Sequence, residues 1–342
     1  MKKAVIRYEV VLFAVFALAF GFVLGSTKPL EAAGGNVIEL TYQGKWSGHE
    51  KQNWAAEQLK ITDYVKAATN GRIKIKNMDE VVRDNEVLDA VRTGALDLGN
   101  QPVFARRELA VVNFLSLPFI TNDKAPEILE KLKPTFDEVW YKSFGVKQLG
   151  YAYFLPSYLY TSKPCTTLED LRSIKVRVLG NVLVKLLKLA GANPVTMNNA
   201  EVYTSLQRGL IDGAQTALPG YLGGAWYEVC KYISKWPLGC TAMGIVMNKE
   251  AWDKLDPTLQ GQFLSAMQEF EKAQSIGVSK DLDVLEKQAL SLGAIRKDPP
   301  QEEKDKLMSF VGPVIKDWKE SAGPHADEVL KAVNEVCGTN YK

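Results

Sequence analysis

The chain has 342 residues, with 42 basic and 40 acidic side chains and a formal net charge of +2. A chain of this length exceeds what one hydrophobic core usually covers, and it predicts two domains. The near balance of charge excludes the basic face that nucleic-acid binding requires, and it also excludes a polybasic membrane-binding surface.

The first residues have the pattern of an export signal. Three basic residues within the first seven positions precede an uncharged apolar run over residues 10–25, which is shorter than the roughly 20 residues of a membrane span. Ala32 and Ala33 then provide small residues for cleavage. Cleavage there removes four basic and two acidic residues and leaves 38 of each. We therefore expect a periplasmic protein; an uncleaved N-terminal anchor is the alternative.

Strand and helix patterns alternate in the region that follows. Residues 37–42 predict a strand, residues 52–68 predict a helix that ends at Asn70 and Gly71, and residues 73–75 alternate as a short strand. This order indicates an α/β fold with largely parallel strands.

Two segments 115 positions apart, residues 85–99 and 200–214, share a sequence pattern. Identical residues hold the same places in both segments: Glu86 and Glu201, Val87 and Val202, Gly94 and Gly209, Asp97 and Asp212. We expect each segment to form a helix with a buried apolar face, a glycine of positive φ, and a short strand that ends at the aspartate. The repeat predicts two similar α/β domains with a ligand cleft at the carboxyl ends of their strands; chance similarity is the alternative.

Residues 257–292 form a long helical pattern, with Leu264, Met267, Phe270 and Ala273 at helical spacing. We expect a helix that spans both domains; a helix confined to the surface is the alternative. No flexible linker interrupts the chain, so we expect two or three crossing segments to join the domains.

The sequence lacks common catalytic and metal-binding motifs. It has two histidines, His49 and His325, and neither has a second histidine at the spacing of a zinc site. It contains neither a G-x-S-x-G nucleophile elbow nor a phosphate-binding loop. We therefore expect a binding protein without catalytic residues, a metal or a cofactor.

Four cysteines would lie in an oxidising compartment if the chain is exported, and disulfides form there. Four cysteines allow three pairings, while a chain of this size does not need disulfides, so four free thiols are the alternative. The cysteines are Cys165, Cys230, Cys240 and Cys337.

Several segments carry motifs of one known family. They are ATNGRIKIK (68–76), VRTGALDLG (91–99), LSLPFI (115–120), LEDLRSIKVRV (168–178), LAGANPVTMNNAEVYTSLQRGLIDGAQ (189–215), YEVCKYIS (227–234) and NKEAWDKLDP (248–257). Together they resemble the solute receptors of tripartite ATP-independent periplasmic (TRAP) transporters, of the dicarboxylate-binding type. The resemblance extends in order over nearly the whole chain that follows the signal.

The resemblance implies a two-domain periplasmic binding protein-like fold with a hinge, an inter-domain cleft and a long helix spanning both domains. After a signal peptide over residues 1–33, we expect domain I over 34–154 and 243–282, and domain II over 155–242 and 283–342. The resemblance also implies that the protein captures a small organic carboxylate and delivers it to the TRAP membrane permease subunits.

The family binds the ligand carboxylate through an arginine in a K-x-R-V strand, and the matching segment here places Arg177 in that role. A guanidinium group stays charged and offers paired N–H donors that match a carboxylate. An arginine on an exposed strand edge is the alternative.

Three positions depart from the family pattern. A second arginine of many members falls on Ser157, the usual asparagine falls on Thr216, and an aromatic residue falls on Asn199. These departures favour a ligand with one carboxylate and an apolar or aromatic body over a dicarboxylate. Gln215, Thr216 and Asn199 would then hold a hydroxyl or keto group.

Aromatic side chains crowd the segments expected to line the cleft, although ordinary core packing is the alternative for each. They are Tyr42, Trp46, Phe104, Phe154, Tyr158, Tyr221 and Trp236. Trp46 and Trp236 lie in turns, which makes them the better candidates. The complete set of candidate ligand-binding residues is Arg177, Thr216, Gln215, Asn199, Ser157, Tyr158, Trp46, Trp236 and Gln101.

Two other functions are compatible with the same fold. The first is a receptor that presents its ligand to a membrane sensor, and a neighbouring permease gene would argue against it. The second is a secreted hydrolase or isomerase, which would need a nucleophile or an acid–base pair in the cleft.

Overall fold

The computed structural model describes residues 36–44, 60–78, 81–83, 86–103 and 106–342. The predicted signal segment, Trp46, His49 and Phe104 lie outside these residues. Two mixed β-sheets and the helices around them confirm the predicted α/β class. From Val37 to Lys342 the chain forms one compact unit.

The first sheet contains five strands. They are β1 (Ile38–Gln43), β2 (Ile73–Asn77), β3 (Leu98–Pro102), β4 (Val146–Pro156) and β10 (Cys240–Asn248). Their order is β2-β1-β3-β10-β4. β1 pairs in parallel with β2 and β3, whereas β10 is antiparallel to β3 and β4. The expectation of largely parallel strands therefore holds for only half of this sheet.

The second sheet contains six shorter strands. They are β5 (Tyr158–Thr161), β6 (Lys175–Arg177), β7 (Asn193–Val195), β8 (Gly213–Thr216), β9 (Tyr232–Ser234) and β11 (Ile295–Arg296). Their order is β11-β9-β5-β8-β6-β7. β6 is parallel to β7 and β8, while β5 is antiparallel to β8 and β9.

The α-helices of the described residues surround these sheets. They are α1 (Ile61–Ala68), α2 (Val87–Thr93), α3 (Ala125–Lys131), α4 (Lys133–Phe144), α5 (Leu168–Leu171), α6 (Asn181–Leu189), α7 (Asn199–Gln207), α8 (Leu218–Gly223), α9 (Lys249–Asp253), α10 (Pro257–Ser291), α11 (Gln301–Met308), α12 (Val311–Ala322) and α13 (Ala326–Cys337). Short 3₁₀ helices cover Arg107–Ser116, Trp226–Glu228 and Gly323–His325. Within the described ranges, no helix is both long and apolar enough to cross a bilayer.

Three hydrophobic clusters fill the spaces between the layers. The shared core takes residues from both sheets, among them Val146 and Val176. The first-sheet core contains Ile245 and Phe263, and the second-sheet core lies around Tyr160. Since the shared core contacts both sheets, residues of the two sheets belong to one compact unit.

The predicted long helix is confirmed as α10. Asp256 caps its first turn, because Asp256 Oδ1 accepts a hydrogen bond of 2.9 Å from the backbone N–H of Leu259. Its first half buries Phe263 and Phe270 in the first-sheet core. Its last turns bury Leu285 and Ala289 in the second-sheet core. The helix therefore packs on both sheets, as the sequence pattern indicates.

Two chain segments cross directly between the sheets. β4 ends at Pro156 and β5 begins at Tyr158, so Ser157 alone separates them. β9 ends at Ser234 and the chain reaches β10 through residues 235–239. The backbone N–H of Ser157 donates a hydrogen bond of 3.0 Å to the carbonyl of Gly239. The two crossings therefore lie side by side.

The repeated sequence pattern forms α2 followed by β3, and α7 followed by β8. Val87 and Val202 are fully buried, as predicted for the apolar helix faces. Gly94 and Gly209 have φ values of 79° and 66°, which confirms the predicted positive φ. The helix predicted to end before Asn70 and Gly71 also ends there, at Ala68, and both residues have positive φ. The predicted start of that helix, at residue 52, lies outside the described residues, and the described helix begins at Ile61.

The expected place of the repeated aspartates is wrong, because each precedes its strand instead of ending it. The Asp97 carboxylate accepts a hydrogen bond of 2.7 Å from the backbone N–H of Thr41 in β1. The Asp212 carboxylate accepts one of 2.8 Å from the backbone N–H of Lys175 in β6. Each aspartate thus ties the start of its strand to the neighbouring parallel strand. This shared hydrogen bond explains why both segments of the repeat have an aspartate at this position.

Candidate ligand-binding site

Arg177 is the last residue of the interior strand β6, which lies between β8 and β7. Its neighbours Val176 and Val178 point into the shared core. Because side chains alternate along a strand, Arg177 points to the opposite face, towards the second-sheet core. Its side chain is 3% exposed, which excludes the alternative of an arginine on an exposed strand edge.

The Arg177 guanidinium is a buried cation surrounded by neutral groups. Its Nη1 donates a hydrogen bond of 3.3 Å to the carbonyl of Gln215, and its Nε donates one of 3.4 Å to the carbonyl of Met197. The ring of Trp226 lies 6.0 Å from its Cζ atom. Burial lowers the pKa of Arg177 to about 10. Among the described residues no carboxylate forms a salt bridge with it, so its charge is not compensated within that part of the chain.

Gln215 connects the strand ends around Arg177. Its Nε2 donates a hydrogen bond of 2.8 Å to Ser157 Oγ, and its Oε1 accepts one of 3.3 Å from the backbone N–H of Leu179. Both Ser157 and Gln215 are buried. The structure therefore brings three of the predicted site residues, Arg177, Gln215 and Ser157, into one hydrogen-bonded network beside the crossing between the sheets.

Tyr158 and Thr216 form a cross-strand pair between β5 and β8. The ammonium of Lys235 lies 5.1 Å from the centre of the Tyr158 ring. Burial raises the pKa of Tyr158 to about 12. Thr216 lies against α8, because a side chain added at Gly220 would come within 2.5 Å of its hydroxyl. These two candidates are thus placed at the same strand ends as Arg177 and Gln215.

The remaining candidates lie elsewhere. Asn199 is exposed on the first turn of α7. Gln101 is buried in β3 of the first sheet, where its Oε1 has no hydrogen-bond donor among the described residues. Trp46 lies outside the described residues.

Trp236 lies in the protein interior. Its ring is 2% exposed and packs in the shared core. Its indole N–H donates a hydrogen bond of 3.0 Å to the carbonyl of Cys165. Trp236 was expected to line the cleft because it lies in a turn beside a proline. In the structure this turn is part of the buried crossing between the sheets. Core packing, the alternative reading, accounts for the position of Trp236.

Sequence reasoning missed Trp226, the aromatic residue that contacts Arg177. It lies in a 3₁₀ helix, a buried member of the second-sheet core. No local sequence pattern indicated this contact, because it joins the ends of elements that are distant in the chain.

No cluster of three or more metal-ligating side chains occurs within the described ranges. His325 Nδ1 lies 3.5 Å from the carboxylate of Glu328 on the following helix. All four cysteines are free thiols; Cys165, Cys230 and Cys240 are buried and Cys337 is partly buried. Of the two alternatives that the sequence left open, disulfides or free thiols, this structure has free thiols.

The sequence matches a known receptor family. The model of bacterial extracellular solute-binding protein family 7, DctP, matches residues 45–321. The chain belongs to this family. The resemblance drawn from the sequence motifs is thereby confirmed, and so is its role as an extracytoplasmic solute receptor of the TRAP type.

Individual relatives cover most of this family 7 chain. The 2,3-diketo-L-gulonate-binding periplasmic protein YiaO of Escherichia coli is 25% identical over 313 residues, which cover 87% of this chain and 92% of YiaO. A TRAP periplasmic solute binding protein from Desulfovibrio salexigens with bound orotic acid has a TM-score of 0.79 at 19% identity, covering 88% of this chain and 99% of that one.

DctP7, an extracytoplasmic solute receptor of Bordetella pertussis that binds pyroglutamic acid, has a TM-score of 0.75 at 21% identity. The alignment covers 86% of this chain and 99% of DctP7. These structural likenesses confirm the two-domain receptor fold.

Proposed function

We propose that this family 7 receptor captures a small organic carboxylate through Arg177 and delivers it to a membrane permease. The observation that carries the proposal is the buried guanidinium, which has carbonyl and aromatic neighbours and no acidic partner among the described residues. Burying an uncompensated charge costs free energy. A ligand carboxylate would supply the missing negative charge.

The shape of the guanidinium suits this role. Arginine presents parallel N–H donors that pair with both oxygens of a carboxylate, and such charge-assisted bonds are stronger than neutral ones. Each contributes about 1.5–3 kcal/mol. Nη1 and Nε of Arg177 hold long bonds of 3.3 and 3.4 Å to carbonyls, so both groups are available for stronger ones.

The ligand carries one carboxylate on a compact body. Ser157 occupies the place of the second arginine, and its hydroxyl accepts the Gln215 amide. A second carboxylate would therefore meet a serine instead of a cation. The ligands named for the two structural neighbours support this class, since orotic acid and pyroglutamic acid each have one carboxyl group on a ring.

We propose domain I over residues 34–154 and 243–282, and domain II over 155–242 and 283–342. The paired crossings at Ser157 and Gly239 support a hinge between them. Ligand that contacts both domains would favour the closed state through its higher affinity for that state.

The proposal also includes export of the chain and delivery of the ligand to a membrane permease. Family 7 consists of extracellular solute-binding receptors, which supports export and a non-enzymatic role. We place cleavage of the signal near Ala32 and Ala33, and the membrane subunits of a TRAP transporter as the partner. N-terminal sequencing of the exported protein tests the cleavage site, and a retained Met1 in the membrane fraction would contradict it.

Native mass spectrometry of the freshly purified protein tests the ligand. We expect a bound organic acid, released by unfolding and identified by its mass. Titration calorimetry with the identified acid should then show one site per chain. A bound compound without a carboxyl group would overturn the proposal.

A further inference from the structure

Trp226 is a buried aromatic residue whose ring faces the candidate ligand-binding cation. It is 1% exposed and belongs to the second-sheet core. Its ring centre lies 6.0 Å from Cζ of Arg177, at the limit of a cation–π contact.

The local backbone is shaped around this ring. A side chain added at Gly224 would overlap the indole Nε1 of Trp226. Ala225 adopts the left-handed region with a φ of 53°, which is uncommon for a residue other than glycine. A strained conformation persists only where surrounding packing over-determines it. The segment therefore holds the indole in one place.

An aromatic face has an advantage over an acidic partner at this position. A carboxylate would neutralise Arg177 and occupy the N–H groups that a ligand needs. The ring attracts the cation through its quadrupole and does not engage the in-plane N–H donors. Two backbone carbonyls at 3.3 and 3.4 Å complete the support.

We propose that Trp226 is a positioning residue: it stabilises the uncompensated charge of Arg177 and fixes the plane of its guanidinium for the ligand carboxylate. This inference rests on the proposed function, in which Arg177 binds that carboxylate. Trp226 acts through Arg177, so its loss should weaken binding of anionic ligands without removing a ligand contact.

The first test does not need a ligand. In protein labelled with ¹⁵N-arginine, the Arg177 Nε–H signal is assigned by its absence in Arg177→Lys. Its heteronuclear relaxation and solvent exchange are then compared in Trp226→Phe and Trp226→Leu. We expect an ordered, slowly exchanging signal in the native protein and in Trp226→Phe, and a mobile, rapidly exchanging one in Trp226→Leu.

Trp318→Leu is the matched control. Trp318 is equally buried, at 2% exposure, but lies in the shared core, where its indole donates to the carbonyl of Ala110. Both leucine variants should lower the thermal midpoint, whereas only Trp226→Leu should change the Arg177 signal. An ordered Arg177 signal in folded Trp226→Leu would overturn the inference.

The second test uses orotate and pyroglutamate as probes in calorimetric titration. For a probe that binds the native protein, we expect Trp226→Leu to lose about tenfold in affinity and Trp226→Phe to lose less than about threefold. Equal losses in Trp226→Phe and Trp226→Leu would contradict a role for the ring face. If neither probe binds the native protein, the ligand class proposed above fails, while the relaxation measurement still decides the role of Trp226.

Discussion

At the scale of single residues, Arg177 concentrates the binding chemistry in one side chain. Its charge is buried without an acidic partner among the described residues, so the unliganded protein carries a desolvation cost that a carboxylate offsets. The same residue makes few contacts that the fold depends on, since its hydrogen bonds to carbonyls are long. Binding and folding should therefore separate on substitution.

We predict that Arg177→Ala abolishes measurable binding of the native ligand and leaves the protein folded. Loss of two charge-assisted bonds of about 1.5–3 kcal/mol each corresponds to at least a hundredfold weaker binding. Arg177→Lys should also bind weakly, because an ammonium cannot form the paired contact. Calorimetric titration measures both, with circular dichroism as the check of folding.

Arg172→Ala is the matched control for this experiment. Arg172 lies near Arg177 in the sequence, is exposed, and pairs with Glu169 on the short helix α5 that ends just before it. Its replacement should leave affinity unchanged, because exposed ion pairs contribute little. Near-native affinity in Arg177→Ala would refute the assignment of Arg177.

Glu271 is a partly buried ionisable group on the helix α10. Its carboxylate accepts a hydrogen bond from the backbone N–H of Tyr151 in β4. A side chain at Gly150 would overlap that carboxylate, so the strand and helix approach closely there. Burial raises the pKa of Glu271 to about 7, with Lys133 lowering it and Glu130 raising it to smaller extents.

We predict that Glu271→Gln stabilises the protein above pH 7. With a folded pKa of about 7 and an unfolded pKa near 4.5, Glu271 holds a proton in the folded state that the unfolded state has lost. The contribution of Glu271 to the free energy of unfolding therefore falls as pH rises from about 4.5 to about 7, by at most about 3 kcal/mol. A neutral amide keeps the hydrogen bond to Tyr151 and removes this dependence.

Denaturant unfolding at pH 5 and pH 8 measures the effect. The variant and the native protein should have similar stability at pH 5, and the variant should be more stable at pH 8. Glu269→Gln, on the exposed side of the same helix, should change stability equally at both pH values. A constant difference for Glu271→Gln would show that Glu271 does not titrate in this range.

At the scale of elements, glycines divide into those the packing requires and those it tolerates. Gly213 opens β8, and a side chain there would lie 2.5 Å from the carbonyl of Tyr160 in the neighbouring strand β5. Gly261 lies inside α10 with nothing within 4 Å of an added side chain. Replacement by alanine should therefore have opposite effects on stability at Gly213 and at Gly261.

We predict that Gly213→Ala destabilises the protein by about 1–3 kcal/mol, because backbone of β5 or β8 must move. It should also weaken ligand binding, since the same strands hold Ser157 and Gln215. Gly261→Ala should stabilise by about 1 kcal/mol, because alanine is the better helix former. Thermal and denaturant unfolding measure both, and a neutral Gly213→Ala would show that β8 adapts easily.

The elements differ in how far the sequence predicts them. Periodicity and glycine positions located α2, α7 and α10, because these depend on neighbours in the chain. The same local information placed Asp97 and Asp212 at the wrong end of their strands, since their role is to accept a hydrogen bond from another strand. The antiparallel entry of β10 between β3 and β4 likewise depends on distant contacts.

The residues of the candidate site also differ in how far the sequence predicts them. The resemblance singled out Arg177, and its strand placed Gln215 and Ser157 beside it. Whether an aromatic residue lies in a core or next to a guanidinium depends on packing between elements, which a single sequence does not encode locally. The sequence therefore indicated neither the packing of Trp236 in the shared core nor the contact of Trp226 with Arg177.

At the scale of the whole molecule, hydrophobic packing joins the two sheets, and the four cysteines are free. Residues of both sheets pack in the shared core, and α10 packs on both sheets. Burial raises the pKa of Cys165 and of Cys230 to about 12, so neither thiol forms a thiolate readily at neutral pH. The fold is complete with four free cysteines.

We predict that the exported protein contains four free thiols. Unfolding without reductant in the presence of iodoacetamide should therefore label all four cysteines, as counted by mass spectrometry. In the folded protein the buried Cys165, Cys230 and Cys240 should resist the reagent, and prior reduction serves as the control. A pair of cysteines labelled only after reduction would reveal a disulfide.

The last prediction concerns the class of ligand that stabilises the whole molecule. Ser157 stands where a second cation would be expected, and its hydroxyl is engaged by Gln215. A second carboxylate buried on closure would lose its water without gaining a cation, which costs free energy. The ring of Tyr158 lies beside the strand ends that carry Arg177 and would offer apolar surface to a flat ligand.

We therefore expect acids with one carboxylate on a ring or a branched apolar body, such as orotate and pyroglutamate, to raise the thermal midpoint more than succinate and malate. A ligand that binds only the folded state at about 100 times its dissociation constant adds about 2.7 kcal/mol to stability, which is a shift of several degrees. Arg177→Ala should show no shift with any of these acids, which separates site binding from general effects of the anions. Stabilisation by succinate and malate alone would refute the single-carboxylate class and would leave membership of the receptor family untouched.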